Sequence, residues 1–295
     1  MAQLGVLTSE FPRTSLSDTL DAVVSHGIPT VQFQLGSAVP AIPIETSLVR
    51  GLDVLGEHVD EQLCQEIAEQ LADRKITMSA VDGTFNMIHP DKDRRAAGLG
   101  YLRKVIASCA ILGTSMVTLC TGSMADIMWD RVPENDSEEA WARLVASMKE
   151  AAQAAEEHDV NLAFEPEVNN VVNSAEKARR IIDDVGSSHI KVLMDPANIF
   201  QAGQLPLMDE KLDGAFKLVA NDIALAHAKD VDHDGEAGHL AAGRGRLDYP
   251  RYLALLQQSG YQGAVILHQL KGLTDEEIDG AFAFVRASAP AGYFE

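Results

Sequence analysis

Short apolar and β-branched runs alternate with longer amphipathic segments along the chain. The short runs are LGVLT at the start, TVQFQL at 30–35, ITMSAV at 76–81, SMVTLC at 115–120, VNLAFE at 160–165, IKVLMD at 190–195, IALAHA at 223–228 and AVILH at 264–268. Continuous apolar runs of this length predict strands covered on both faces, as in a parallel sheet. Helical periodicity fills the intervals at about 15–25, 57–73, 93–112, 138–158, 174–184, 211–220, 249–259 and 274–287. In EEAWARLVASMKEAAQAAEEH the apolar residues recur at spacings of three and four, which rules against a strand. Small polar and acidic residues open several of these segments, at Asn135-Asp-Ser-Glu, Asn173-Ser-Ala-Glu and Thr274-Asp-Glu-Glu. Gly27, Gly113, Gly186 and Gly260 fall where helices should end, in positions suited to a left-handed cap.

Eight strand–helix units predict an α/β protein of the (β/α)8 barrel class, forming one domain over residues 1–295. An open doubly wound sheet fits less well. The first strand runs into LTSEFPRTS instead of a glycine-rich turn, and no GxGxxG follows any strand.

With 46% of 295 residues hydrophobic, the chain can fill one large core. No run approaches the roughly 20 apolar residues of a membrane span, and MAQLGVLTSEF lacks a basic region followed by an apolar one. A cytoplasmic protein with no membrane partner is expected. Lys and Arg number 24 against 44 Asp and Glu, a net charge of −20 that repels phosphate backbones and disfavours nucleic acid. Cys64, Cys109 and Cys120 stand at no metal-knuckle or redox spacing and read as buried thiols.

The chemistry gathers at strand ends. Strand five ends in Glu165, strand six in Asp195, strand seven carries His227 and strand eight ends in His268. One such residue alone would read as a strand terminus satisfied by a neighbour. Four on consecutive staves of a barrel converge at its mouth, where buried carboxylates and imidazoles need a cation. Two carboxylates and two imidazoles suit Mn2+, Co2+, Zn2+ or Fe2+, and Mg2+ less obviously.

Further candidates surround these four. Glu167 stands two residues after Glu165, followed by Asn169 and Asn170, and Asn198 stands three after Asp195. Each reads either as a site residue or as a loop or cap group. Lys229 could hold an enolate or phosphate oxygen, or form an ion pair with Asp230. Asn86 and His89, in TFNMIHPDKDRR, are placed for a lid over substrate, or His89, beside Pro90, only anchors that loop. Arg244 and Arg246, in the GRGR run, resemble an anion-binding turn for a sugar phosphate or carboxylate. His233 and His239 read as solvated loop groups, and Trp129 and Trp141 as packing residues.

FNMIHP, FEPE, MDPANIF, HAKDV, GRGRLDY and GYQGAVIL, in this order, resemble the xylose-isomerase-like barrel superfamily of sugar isomerases, ketose 3-epimerases and dehydratases. The resemblance implies metal ligands at Glu165, Asp195 and His227, with a second glutamate at the end of strand eight, where this chain has His268. It implies a divalent ion, Mn2+ first, and a small keto-sugar or sugar-phosphate substrate. The expected reaction is isomerisation or epimerisation by removal of an α-proton, with Glu165, His268, Glu167 and His89 as candidate proton carriers. His268 weakens a two-carboxylate epimerase and leaves room for a lyase or dehydratase acting on a keto-sugar or 3-keto-glycoside. A non-catalytic sugar-binding barrel is the third alternative. The outer ring of helices leaves room for a homo-oligomer.

Overall fold

A computed structural model describes residues 1–11, 14–39 and 58–294. The start of the helix expected at about 57 therefore lies partly outside the described residues. Strands β1 (Gln3–Leu7), β2 (Thr30–Phe33), β3 (Thr77–Asp82), β4 (Met116–Cys120), β5 (Asn161–Glu165), β6 (Ile190–Met194), β7 (Ile223–Asp230) and β9 (Ala264–Leu267) pair in parallel, each with the next. The β9–β1 pairing closes the sheet into a barrel of eight parallel strands. A two-residue strand, β8 (Leu240–Ala241), folds back antiparallel on the end of β7 and was not foreseen.

Outside the barrel lie α1 (Leu16–Ser25), α2 (Glu61–Asp73), α3 (Lys92–Leu112), α4 (Glu138–His158), α5 (Ala175–Val185), α6 (Met208–Val219), α7 (Tyr249–Gln258) and α8 (Asp275–Ser288). The start signals act as expected. The Ser137 and Ser174 hydroxyls accept from the amides of Ala140 and Lys177, and Thr274 with Glu277 closes a capping box on α8. Gly113 and Gly186 take left-handed conformations at the ends of α3 and α5. All three cysteines are buried and free. Among the described residues no helix is long and apolar enough to cross a membrane.

The core has two parts. A large one packs the outward strand faces against the helices, and a small one, of Leu7, Ala80, Ala163, Leu193, Leu225 and Ile266, fills the barrel interior. Near the bottom of that interior a Cβ on Gly5 would stand 2.7 Å from the Thr30 carbonyl oxygen and 2.7 Å from Ile266, so only glycine fits. The inner layer determines what comes above it. Side chains alternate along a strand, so the residue two beyond each inner-layer residue also points inward, one level higher. From Ala80, Ala163, Leu193, Leu225 and Ile266, that step leads to Asp82, Glu165, Asp195, His227 and His268. The apolar layer is thus the floor of a polar cup.

Candidate metal centre

The cup is a cavity of 430 Å³, within the range of small-molecule sites, lined by residues from the C-terminal strand ends and the loops beyond them. At its base Glu165, Asp195 and His227 each offer one ligand atom, all within 4.8 Å of one another. His227 Nδ1 lies 3.7 Å from Glu165 Oε1 and 3.6 Å from Asp195 Oδ2. The three side chains are 12%, 0% and 4% exposed, in the order Glu165, Asp195, His227.

The ring of His227 is oriented from behind. Its Nε2 lies 2.7 Å from Gln32 Oε1, whose Nε2 in turn donates to Thr118 Oγ1 at 3.1 Å, and Thr118 donates to Asp82 Oδ1 at 3.3 Å. An amide oxygen can only accept, so His227 keeps its proton on Nε2 and turns the Nδ1 lone pair toward the carboxylates. Asn198 acts similarly on Glu165. Its Nδ2 donates to Oε1 at 2.6 Å, while its Oδ1 accepts the Gly238 amide at 3.0 Å.

Asp195 Oδ2 and His227 Nδ1 are both buried without a hydrogen-bond partner. Two such atoms facing one point would be costly in a site meant to stay empty, and a divalent cation satisfies both. The donor set of two carboxylates and one imidazole suits a divalent ion, and these atoms form a metal-coordinating site. Without the ion, charge is balanced by protons. Burial disfavours the His227 imidazolium, but the Asp195 and Glu165 carboxylates facing its Nδ1 at 3.6 and 3.7 Å outweigh it and push its pKa up to about 9. Lys229, on the same face of β7, places Nζ 3.3 Å from Asp195 Oδ2. Burial opposes its charge, but Asp195 and the two glutamates raise its pKa. Burial likewise opposes ionisation of Asp195, yet the Lys229 ammonium and His227 hold it well below the carboxylate range.

This arrangement makes Gln32 the residue to test. Gln32→Leu is expected to weaken divalent-ion binding about 10- to 100-fold, read by calorimetric titration, with the far-ultraviolet circular dichroism unchanged. An unaltered affinity would mean that the ring is held by something other than this amide.

Glu167 and His268 also face the cavity. Glu167 is 3% exposed, one of its oxygens lacks a partner, and the Asn170 amide holds the other at 3.3 Å. Burial, helped by the charge of Glu165, pushes its pKa up to about 7. His268 follows β9, with its ring stacked on that of His227 at 5.2 Å between centroids. Its Nδ1 is buried without a hydrogen bond, 3.9 Å from Glu10 Oε1. Burial, then the charges of Lys229 and His227, keep this imidazole neutral. Glu10 in turn accepts the amides of Leu270 at 2.6 Å and Lys271 at 2.9 Å, fixing the turn that carries His268.

The Glu167 shift has a consequence for stability. In the unfolded chain this carboxyl loses its proton near 4.5, whereas in the folded metal-free protein it keeps it until about 7. Its contribution is therefore full below the ordinary carboxylate range and is lost as pH rises through 7, by about 3 kcal/mol. Metal-free Glu167→Gln is expected to gain on the wild type progressively from pH 5 to pH 8 in urea titrations. A pH-independent difference between the two proteins would contradict this burial effect.

Of the residues singled out from the sequence, Glu165, Glu167, Asn198, His227, Lys229 and His268 line the cavity, and Asp195 stands at its base. Four others are placed elsewhere. Asn86 uses its whole amide on the loop after β4 and on its own loop, donating to the Ser123 and Ala125 carbonyls and accepting the Ser123 and Ile88 amides. His89 is enclosed by Arg94, Asp126 and the Asp91 amide, so in this structure the side chains of Asn86 and His89 are engaged in holding their loop. Arg244 pairs with Glu277 at 2.7 Å on the outside of the barrel, and Arg246 is exposed beside it. The turn they share is already filled, because Asp230 accepts the Gly243, Leu247 and Val231 amides. Trp129, read as a packing residue, lines the cavity instead. Gln32, Gln34, Glu10 and Asp82 also line it and were not singled out. For Gln32, Gln34 and Asp82 the signal was a polar residue at the inward parity of an apolar run; Glu10, in the turn after β1, carried none.

A closed eight-stranded barrel with a carboxylate–imidazole centre at its mouth defines a metal-binding α/β barrel protein. The family described as the xylose isomerase-like TIM barrel matches residues 15–285, and this chain belongs to it. The D-psicose 3-epimerase of Agrobacterium fabrum is 24% identical over 227 residues, 73% of each chain. That of Enterocloster bolteae is 27% identical over 137 residues, 45% of this chain and only 41% of the relative. Among solved structures, a xylose isomerase domain protein from Planctomyces limnophilus superposes with a TM-score of 0.71 at 18% identity, covering 97% and 96% of the two chains. The 3-keto-D-glucoside 4-epimerase of E. coli gives 0.72 at 14% identity, with 97% and 100% covered.

Proposed function

We propose that this protein is a divalent-metal-dependent isomerase or epimerase of a small keto-sugar. The observation that carries the reading is the meeting of three metal-ligand atoms, from Glu165, Asp195 and His227, beside two buried groups able to carry protons, Glu167 and His268. A divalent ion held there, Mn2+ by preference for a carboxylate-rich set, would polarise a carbonyl and its neighbouring hydroxyl and acidify the adjoining C–H.

The chain's own residues supply the rest. Glu167, whose burial raises its pKa in the metal-free protein, is placed beside the metal ligands to take a proton from carbon or return it. His268, held neutral, is the second carrier, standing where related barrels place a glutamate. Gln34, Asn169 and Asn198 offer amides to sugar hydroxyls, and Trp129 offers a ring face to the C–H side of the sugar. Lys229 balances the carboxylate charge at the base. Among the described residues the lining contains no arginine, and Glu10, Asp82, Glu165 and Glu167 outnumber Lys229 and Lys271 there. This excess of carboxylate favours an unphosphorylated substrate. The shared sequence with D-psicose 3-epimerases supports the same class.

The test is reversible chelation. Activity on unphosphorylated ketoses should vanish with metal removal and return with one equivalent of Mn2+. Turnover that ignores chelators would sink the reading. His268 in place of the carboxylate favours one second reading, elimination from a 3-keto-glycoside, which would be recognised by release of an α,β-unsaturated ketone.

A further inference from the structure

The loop from Val231 to His239 joins β7 to β8 and carries a second group of metal-competent side chains outside the cavity. Asp232, His233 and His239 offer a carboxylate oxygen and two imidazole nitrogens that lie within 4.8 Å of one another. His233 Nδ1 is 2.5 Å and His239 Nε2 is 3.3 Å from the same oxygen, Asp232 Oδ1. The two rings approach to 4.8 Å between centroids, so both imidazoles turn toward one carboxylate from neighbouring positions in space. On the far side of the His233 ring, Nε2 is 3.5 Å from Glu236 Oε2. A carboxylate there can accept the Nε2 ring N–H, so that an ion displacing the proton shared by Nδ1 and Asp232 Oδ1 would find Nδ1 oriented toward it, the arrangement that orients ligating histidines in metal sites.

We propose that Asp232, His233 and His239 form a second divalent-ion site, selective for a borderline ion of the Zn2+ type and separate from the deep centre. Donor chemistry distinguishes the two. The deep site has two carboxylates and one imidazole, the outer one two imidazoles and one carboxylate, which shifts its preference away from Mn2+ and toward Zn2+. The side chains are 51%, 51% and 42% exposed, in the order Asp232, His233, His239, so ligand exchange is open and water completes the coordination.

Position gives the site a role. Its ligands come from both ends of one loop, Asp232 and His233 at the start and His239 at the finish, so an ion ties the loop closed. Within that loop Ala237 and Gly238 line the cavity, and the Gly238 amide donates to Asn198, which holds Glu165. An ion on the outside therefore braces the segment that shapes one wall of the cavity inside.

Zn2+ titration of the whole metal-free protein, read as bound equivalents after gel filtration, tests this against the double variant His233→Ala/His239→Ala. Both side chains are exposed, so the variant should fold as the wild type does. The wild type is expected to bind one equivalent more than the variant, and Zn2+ should slow hydrogen exchange across 231–239 in the wild type alone. Equal equivalents in the two proteins would overturn the proposal. If the deep centre bound no metal, the counts would be one and zero, leaving the difference intact, so the two assignments fail separately.

Discussion

Asp195→Ala is expected to abolish Mn2+ binding at the deep centre and to destabilise the protein by about 3–5 kcal/mol, the range for breaking a buried ion pair. Two effects combine. Asp195 is fully buried, and its Oδ2 faces His227 Nδ1 at 3.6 Å and Lys229 Nζ at 3.3 Å. Its loss removes a metal ligand and leaves the Lys229 ammonium buried with less compensation, because its remaining acidic neighbours are Glu165 and Glu167. Elemental analysis reads the first effect and urea unfolding the second. Asp195→Asn keeps the shape and the Oδ1 acceptor for the Ala197 amide but not the charge, so it should show both losses and trace them to the carboxylate charge. A variant that binds as many equivalents of Mn2+ as the wild type would contradict the assignment of this carboxylate to the centre.

The second large effect concerns His268. Substitution by alanine should leave metal affinity within a few-fold and lower proton exchange at the substrate α-carbon by about 10²- to 10⁴-fold, the usual contribution of a positioned acid or base. The geometry behind this is the neutral ring beside His227, with an unpartnered Nδ1 and a turn fixed by Glu10. His268→Glu should restore much of the exchange by putting a carboxyl at the same strand end. If His268→Ala instead released the metal, His268 would be a fourth ligand and the second proton carrier would have to be sought elsewhere in the lining.

The fold was legible because its periodicities are unmixed. Every strand of the barrel overlaps an apolar run, and Ser137, Ser174 and Thr274 cap the helices where polar residues precede periodic ones. The metal centre was legible for a related reason. Glu165, Asp195 and His227 each follow an inner-layer residue by two, so alternation alone carries them into the barrel. What escaped depended on contacts between segments far apart in sequence. Asn86 looked free, but the partners that use its amide lie 37 and 39 residues away. The GRGR turn looked like an anion cradle because nothing local reveals that Asp230 already fills it. Gln32 resembled any strand residue, and its importance rests on a contact with His227, 195 residues further along. Trp129 faces the cavity from an irregular segment with no period to read.

The measurement that tests the central claim most directly is deuterium incorporation. Metal-loaded protein is incubated in deuterated water with a panel of unphosphorylated ketoses and 3-keto-glycosides, and the carbon beside each carbonyl is followed by NMR. At least one sugar is expected to gain deuterium there together with formation of an isomer or epimer, and chelation should stop both. Absence of exchange across the panel by protein holding one equivalent of metal would contradict the assignment of this cavity to α-proton chemistry.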